Sequence, residues 1–387
     1  MVSAICFLVV LIDGYDTLML SFLAPLITQH FGMPPGAFGK VFAATYAGAA
    51  VGGLGVGIAA DRWGRKRLMQ LSLLMVGTLT ILSAWASSPG ELMLLRFFTG
   101  IGLGGAIPCA AAMTGEHAPA ERRAQMVSRM FLGFPIGAIV GGGLTAAVMP
   151  VMGWQGVFIC GGVVALLAVL AVSAIHPAAP APEAPVTHGG KVRLAQLFAE
   201  GRALGAAMIC LTTFLMLMVT YFLVSWIPTV MTLTGVDPQR AALAGVSVNV
   251  GAVVGALGLS FLFRRANPFP PVAVCMLGGA LLVPVFGSSV GGSVVVSFAL
   301  AFCVGLLLIG GQQNIPALCV HFFPPEVRAT GVGTSMACGR VGSIIGPVIG
   351  GLLVNARLPW NDLFVIAAVP ALIAGLALWF VRKPTSA

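Results

Sequence analysis

Apolar residues run along this chain in blocks too long for the interior of a water-soluble domain. Stretches of about 20 mostly apolar residues, the length a helix needs to cross a bilayer, recur near 2–28, 37–60, 68–87, 91–115, 124–149, 154–175, 203–227, 241–263, 270–289, 292–320, 329–354 and 361–381. Inside hydrocarbon no water can satisfy backbone N–H and C=O groups, so such stretches fold as helices. The pattern therefore predicts an all-α membrane protein of twelve transmembrane helices. The first block is too long and too acidic for a secretory leader, and no small-residue cleavage site follows it.

Composition agrees. Of 387 residues, 58% are apolar and only 8% charged, where a soluble domain carries about 25% charged. The few bases also sort by side. If the chain starts inside, fifteen of the 20 Lys and Arg residues fall in inner loops and the tail. Arg62, Arg65, Lys66, Arg67, Arg122, Arg123, Arg129, Arg264, Arg265 and Arg328 are among them. The outer loops hold Lys40, Arg240 and Arg357. By the positive-inside rule both termini are expected in the cytoplasm. The net charge of +9 then has a topological cause and does not argue for nucleic acid. The eight cysteines lie in apolar spans without CxxC spacing and read as small hydrophobes rather than metal ligands.

Against this background Asp13-Gly14-Tyr15-Asp16 stands out, because it interrupts an otherwise apolar span. A carboxylate at bilayer depth costs about 3 kcal/mol on insertion scales. Spaced i, i+3, both acids project from one side of a helix. Asp13 and Asp16 are thus candidates for proton coupling; the alternative is a pair of buried polar residues that bend the helix.

The chain divides in its middle. His176-Pro-Ala-Ala-Pro-Ala-Pro-Glu-Ala-Pro cannot bury a core and reads as a linker. The expected division is residues 1–175 and 203–387 as two six-helix halves, with 176–202 as a cytoplasmic linker. The halves repeat: Pro119-Ala-Glu121-Arg-Arg123-Ala matches Pro324-Pro-Glu326-Val-Arg328-Ala, and Gly137 and Gly141 match Gly342 and Gly346, all 205 positions later. Duplicated halves are typical of transporters that rock about a site near the bilayer midplane.

Gly57-Ile-Ala-Ala-Asp61-Arg62-Trp-Gly64-Arg65-Lys66-Arg67 resembles the signature loop of the major facilitator superfamily, and Arg96-x-x-x-Gly100-x-x-x-Gly104 resembles its second motif. Within that superfamily Asp13-Gly-Tyr-Asp16, together with Arg328-Ala-Thr-Gly and Gly339-Arg340-x-Gly342, resembles the aromatic acid:proton symporters. The resemblance covers the whole chain. It implies the two-half, twelve-helix fold, no cofactor beyond a proton gradient as energy source, and a bacterial inner membrane as location. Members of that family carry a basic cytoplasmic lead, whereas this sequence begins almost at its first span, so the protein's start is expected upstream.

The same residues have a physical reading of their own. Gly57, Asp61, Arg62, Gly64, Arg65, Glu116, Arg123, Glu326 and Arg328 gather at inner loop corners of the two halves and suit an inner gate. The alternative is that the bases only set topology, which leaves Asp61, Gly57 and Gly64 unexplained. The second half has Arg264 and Arg265 but no acid matching Asp61, so a gate there must rest on other contacts. Arg96 enters its span about 9 Å from the outer end and can either approach Asp13 or Asp16 or snorkel outward. Arg340 lies about 18 Å along its helix from Arg328, near midplane depth. Its planar guanidinium suits a carboxylate ligand, the alternative being an internal counter-ion. Gln312, Gln313 and Asn314 add polar groups in span ten, and the resemblance favours Gln312 for substrate contact. Tyr15, Tyr46, Tyr221 and Trp226 are candidates to stack on an aromatic ring, or else packing residues.

Together these residues point to a secondary transporter that imports a small carboxylate, aromatic by resemblance, with protons. No enzyme reading survives, since there is no nucleotide loop, metal cluster or nucleophile–base pair. Asp13, Asp16 and Arg96 would serve coupling, and Arg340, Gln312, Gln313 and Tyr15 substrate binding. The expected partners are an organic acid, protons and the lipid bilayer, with the monomer as the working unit. A proton-driven exporter of amphipathic or aromatic compounds, a symporter for another organic anion, and a sensor that binds without moving solute stay open. The glycine-proline motif of drug:proton antiporters belongs in span five, where this chain has Phe134-Pro135-Ile-Gly137, so efflux loses weight.

Overall fold

The computed structural model describes residues 2–119, 122–175, 197, 199, 201–262, 267–324 and 327–381, and regular structure among them is helical throughout. The helices in chain order are α1 (Val2–His30), α2 (Gly39–Trp63), α3 (Arg65–Ser83), α4 (Pro89–His117), α5 (Arg123–Phe131), α6 (Gly133–Ser173) and α7 (Ala203–Leu233). They continue as α8 (Pro238–Leu262), α9 (Phe269–Ser289), α10 (Val294–Val304), α11 (Gly310–Gln312), α12 (Ile315–Phe322), α13 (Arg328–Asn355) and α14 (Trp360–Trp379). Among the described residues nine stretches are long and apolar enough to cross a membrane. One of these stretches contains α6, whose 41 residues would measure about 60 Å as a single rod, twice the hydrocarbon thickness. Gly153 resolves this. Its φ of 67° breaks the helix at the boundary between two of the expected spans, and a positive φ is what glycine tolerates.

The chain forms two units, Met1–Ala184 with Ile227–Val246, and Pro185–Trp226 with Ser247–Ala387. In the first, α1 packs on α6, α2 on α4, and α3 on both α4 and α6. Cys6, Val9, Leu73, Leu103, Ala110 and Val172 form part of one buried cluster there. In the second, α9 packs on α14 and on the segment after α10.

Glycine sets how closely these helices approach. A Cβ at Gly48, Gly52 or Gly100 would overlap the carbonyl oxygens of Phe97, Ile101 and Thr45 respectively, so α2 and α4 meet backbone to backbone. The second unit repeats the seat: Gly251, Gly255 and Gly305 would overlap the carbonyls of Phe302, Leu306 and Val248. Likewise Gly137 abuts Leu11 in the first unit, and Gly342 and Gly346 abut Phe214 and Met218 in the second. Small residues at these seats are what van der Waals packing between membrane helices requires. The internal repeat is thus one of contact geometry as well as of sequence.

Span ten departs from the single helix expected over 292–320. Gly305–Ile309 is π-helical, α11 is one short turn, and Gln313–Asn314 separate it from α12. Gly305 and Gly310 let this wider turn seat closely against α8, while Gly311 faces Val272 and Met276 of α9, and Pro316 lacks the N–H needed to continue a regular ladder.

Candidate functional site

Asp16 lies at the middle of α1 with 2% of its surface exposed. Arg96, on α4, is fully buried. Its Nη1 donates to Asp16 Oδ2 at 3.1 Å, and its Nη2 donates to Thr80 Oγ1 and Thr99 Oγ1, each at 3.0 Å. Thr80, on α3, closes the ring by donating to Asp16 Oδ1 at 2.7 Å. The guanidinium carbon also sits 5.1 Å from the centroid of the Phe158 ring on α6, within cation–π range. Four helices of the first unit therefore converge on one carboxylate–guanidinium pair. Arg96 does not snorkel outward. Its Nε has no hydrogen-bond partner among the described residues, so the charge is held by Asp16, two hydroxyls and an aromatic face.

Thr80, Thr99 and Phe158 were not legible as site residues. A threonine in an apolar span is common, and only the packing of α3 and α4 brings these hydroxyls to Arg96. Asp13, one turn before Asp16 on α1, is also buried, at 6% exposed.

Tyr15 is held by its neighbours in the first unit. The side chain is buried, its ring lies against Gly141 and Gly161, and its hydroxyl donates to Val157 O at 3.0 Å. The engaged hydroxyl ties α1 to α6. Trp226 is fully buried and its indole N–H donates to Pro347 O at 3.0 Å, again a packing arrangement. Tyr46 is buried and Tyr221 is partly exposed.

In the second unit, Arg340 on α13 is partly exposed, and its guanidinium makes no ion pair or hydrogen bond among the described residues. Gln312, 9% exposed at the end of α11, likewise makes no side-chain hydrogen bond among the described residues. Gln313 is partly exposed, and Asn314 is buried with its amide engaged by backbone.

At the signature loop Gly64 turns the chain between α2 and α3 with φ 89°, and its N–H donates to Ala60 O at 3.0 Å. Arg65 forms an ion pair with Glu116 at the end of α4. Lys66 Nζ donates to the carbonyls of Ser173 and Ile175 at 2.7 and 2.6 Å, where a cation is favoured by the C-terminal end of α6. Arg62 and Arg67 are exposed. Gly57, Asp61 and Arg123 lie on α2 and α5, with their side-chain surroundings outside the described residues. Arg328 Nε donates to Phe323 O at 3.3 Å, and Glu326 lies outside the described residues.

A model of the Major Facilitator Superfamily matches residues 6–340 and 313–387. This chain belongs to that superfamily. Within it, the relatives it resembles are named as transporters of aromatic acids. It is 32% identical to the 4-hydroxybenzoate transporter PcaK of Pseudomonas putida, covering 96% of this chain and 90% of the relative. It is 33% identical to the gallate transporter of the same organism, with 98% and 90% covered. To the 3-(3-hydroxy-phenyl)propionate transporter of Escherichia coli (strain K12) it is also 33% identical, with 99% and 94% covered. Its fold is similar to that of a solved D-xylose-proton symporter, with a TM-score of 0.79 at 17% identity over 99% of this chain and 98% of that one. A bacterial homologue of the lysosomal transporter Spinster, solved inward-facing and unoccupied, gives a TM-score of 0.80 at 17% identity over 98% and 96%. The chain is therefore a multi-pass membrane protein of a transporter family.

Proposed function

We propose that this protein imports an aromatic carboxylate together with protons across the bacterial inner membrane, by alternating access of two six-helix halves joined by a cytoplasmic linker. Twelve spans with both termini cytoplasmic, a single chain as the working unit and no cofactor beyond the proton gradient complete the reading. The relatives, which carry hydroxybenzoate, gallate and hydroxyphenylpropionate in their names, support the substrate class.

The observation that carries the coupling is the buried Asp16–Arg96 pair. A charge pair sealed among four helices is expensive to keep and strongly destabilising to break on one side. Protonation of Asp16 removes its charge, loosens Arg96 and lets α1, α3 and α4 rearrange. Asp13, on the same helix, supplies a second acid for the same task. The substrate carboxylate is taken by Arg340, whose guanidinium offers a fork of donors, and Gln312, in the same half, supplies a further polar contact. Arg65, Lys66 and Glu116, with Asp61, Arg62, Arg123, Glu326 and Arg328, stabilise the inner side when it is closed. Exposed pairs there are worth little each, which suits a gate that must open on every cycle.

The test is counterflow in proteoliposomes with benzoates, hydroxybenzoates, phenylpropionates and aliphatic acids. Aromatic carboxylates should exchange and aliphatic ones should not. Exchange of neutral amphipathic compounds in preference to any carboxylate would overturn the reading.

A further inference from the structure

Asn314 occupies the point where span ten leaves α-helical geometry. In the first unit, glycines four apart on α4, Gly100 and Gly104, both face α2. In the second, the glycines that face α8 are five apart, Gly305 and Gly310. A step of five keeps one face turned to a neighbour only where a turn has gained a residue, as in the π-helical segment Gly305–Ile309; such bulges cluster at functional sites. The segment then tightens. The amide of Asn314 donates to Gly311 O, three residues back, at 3.1 Å, rather than to Gly310 O, four back. The Asn314 side chain supplies that missing donor: Nδ2 donates to Gly310 O at 2.8 Å and reaches Ala256 O on α8 at 3.4 Å. One buried amide thus satisfies the carbonyl left free where the segment tightens and ties the break to α8. Gln312 sits between that carbonyl and Asn314.

We infer that Asn314 is a positioning residue for substrate recognition, holding the helix break so that the Gln312 amide faces the carboxylate ligand. This rests on the proposed contact of Gln312 with substrate. A leucine at 314 keeps the branched shape, though with a larger volume, and removes the donor. A serine restores a donor to the carbonyl four residues back, as Ser335 does to Gly331 at 2.9 Å in this same unit and as helical Ser and Thr commonly do.

The experiment measures KM and Vmax in proteoliposomes, using as probe whichever of 4-hydroxybenzoate and gallate the parent protein carries better. Asn314→Leu should raise KM by about fivefold to tenfold, the worth of one aligned hydrogen bond, with Vmax per protein changed less. Asn314→Ser should stay close to the parent. In a Gln312→Ala background the Asn314→Leu substitution should add nothing to KM. An Asn314→Leu effect of the same size in both backgrounds, or parental KM in Asn314→Leu beside a raised KM in Gln312→Ala, would overturn the positioning role while leaving the substrate reading intact. Parental KM in Gln312→Ala would overturn the substrate contact and, with it, the role of Asn314.

Discussion

The Asp16–Arg96 pair allows stability and coupling to be separated by substitution. Asp16→Asn keeps the shape of the side chain but leaves a fully buried guanidinium facing a neutral amide, two threonine hydroxyls and an aromatic ring. Removing one partner of a buried pair costs about 3–5 kcal/mol, most of it the desolvated charge left behind. For a domain of this size that corresponds to a drop in melting temperature on the order of 10 °C. Arg96→Gln leaves the converse problem, an unpaired carboxylate at 2% exposure. Replacing both should recover most of the loss, because a neutral Asn–Gln pair can share one hydrogen bond and each can bond Thr80. Thermal denaturation of the detergent-purified protein should therefore rank the parent above the double variant and both above the single variants. Transport should rank differently: parent active, all three variants unable to concentrate substrate, since none retains both the acid and its partner. A double variant no more stable than either single one would refute the pairing argument. Asp16→Asn that accumulates substrate to the parental level would refute the coupling assignment.

Other outcomes follow from the same geometry. Thr80→Val, which removes the hydroxyl shared by Asp16 and Arg96, should lower uphill uptake by about tenfold, a hydrogen bond to a charged group being worth about 1.5–3 kcal/mol; unchanged accumulation in proteoliposomes would show Thr80 to be incidental. Arg340→Lys should damage carboxylate binding nearly as much as Arg340→Ala, about tenfold to a hundredfold in counterflow KM, because a point charge cannot replace a fork of donors; full affinity in the lysine variant would make Arg340 a counter-ion only. Arg65→Glu should slow turnover through repulsion with Glu116, and the exchanged pair Arg65→Glu with Glu116→Arg should restore it; a swap as slow as the single variant would mean that the pair does not gate.

Much of this was readable before any coordinates. The apolar blocks placed α1, α4, α9 and α13 to within a few residues, because hydrocarbon leaves the backbone no alternative to helix. Gly64, read as part of the signature loop, fell where a positive φ is needed. The repeat of Glu121 and Arg123 in Glu326 and Arg328 pointed to two halves. What remained hidden depends on rotation of one helix against another. Sequence alone could offer Arg96 either Asp13 or Asp16, since the two lie one turn apart. The approach of α3 decides that Thr80 joins Asp16. Tyr15 read as either a stacking or a packing residue, and only the close seat of α1 on α6 shows its hydroxyl bound to Val157 O. The π-helical turn in span ten leaves no compositional mark beyond its glycines, so Asn314 read as one polar residue among three.

The central claim, that carboxylate movement is driven by protons, is tested most directly in proteoliposomes with gradients imposed one at a time. An acid-outside pH gradient should drive accumulation, with each pH unit worth about 1.4 kcal/mol, or tenfold, for one proton. A monoanion entering with one proton moves no net charge, so a potassium–valinomycin potential should leave it unaffected. With two protons, about 2.3 kcal/mol per 100 mV is added. Accumulation that responds to the pH gradient supports the account, and its voltage response then counts the protons. Accumulation driven by a sodium gradient, with no response to pH, would contradict it.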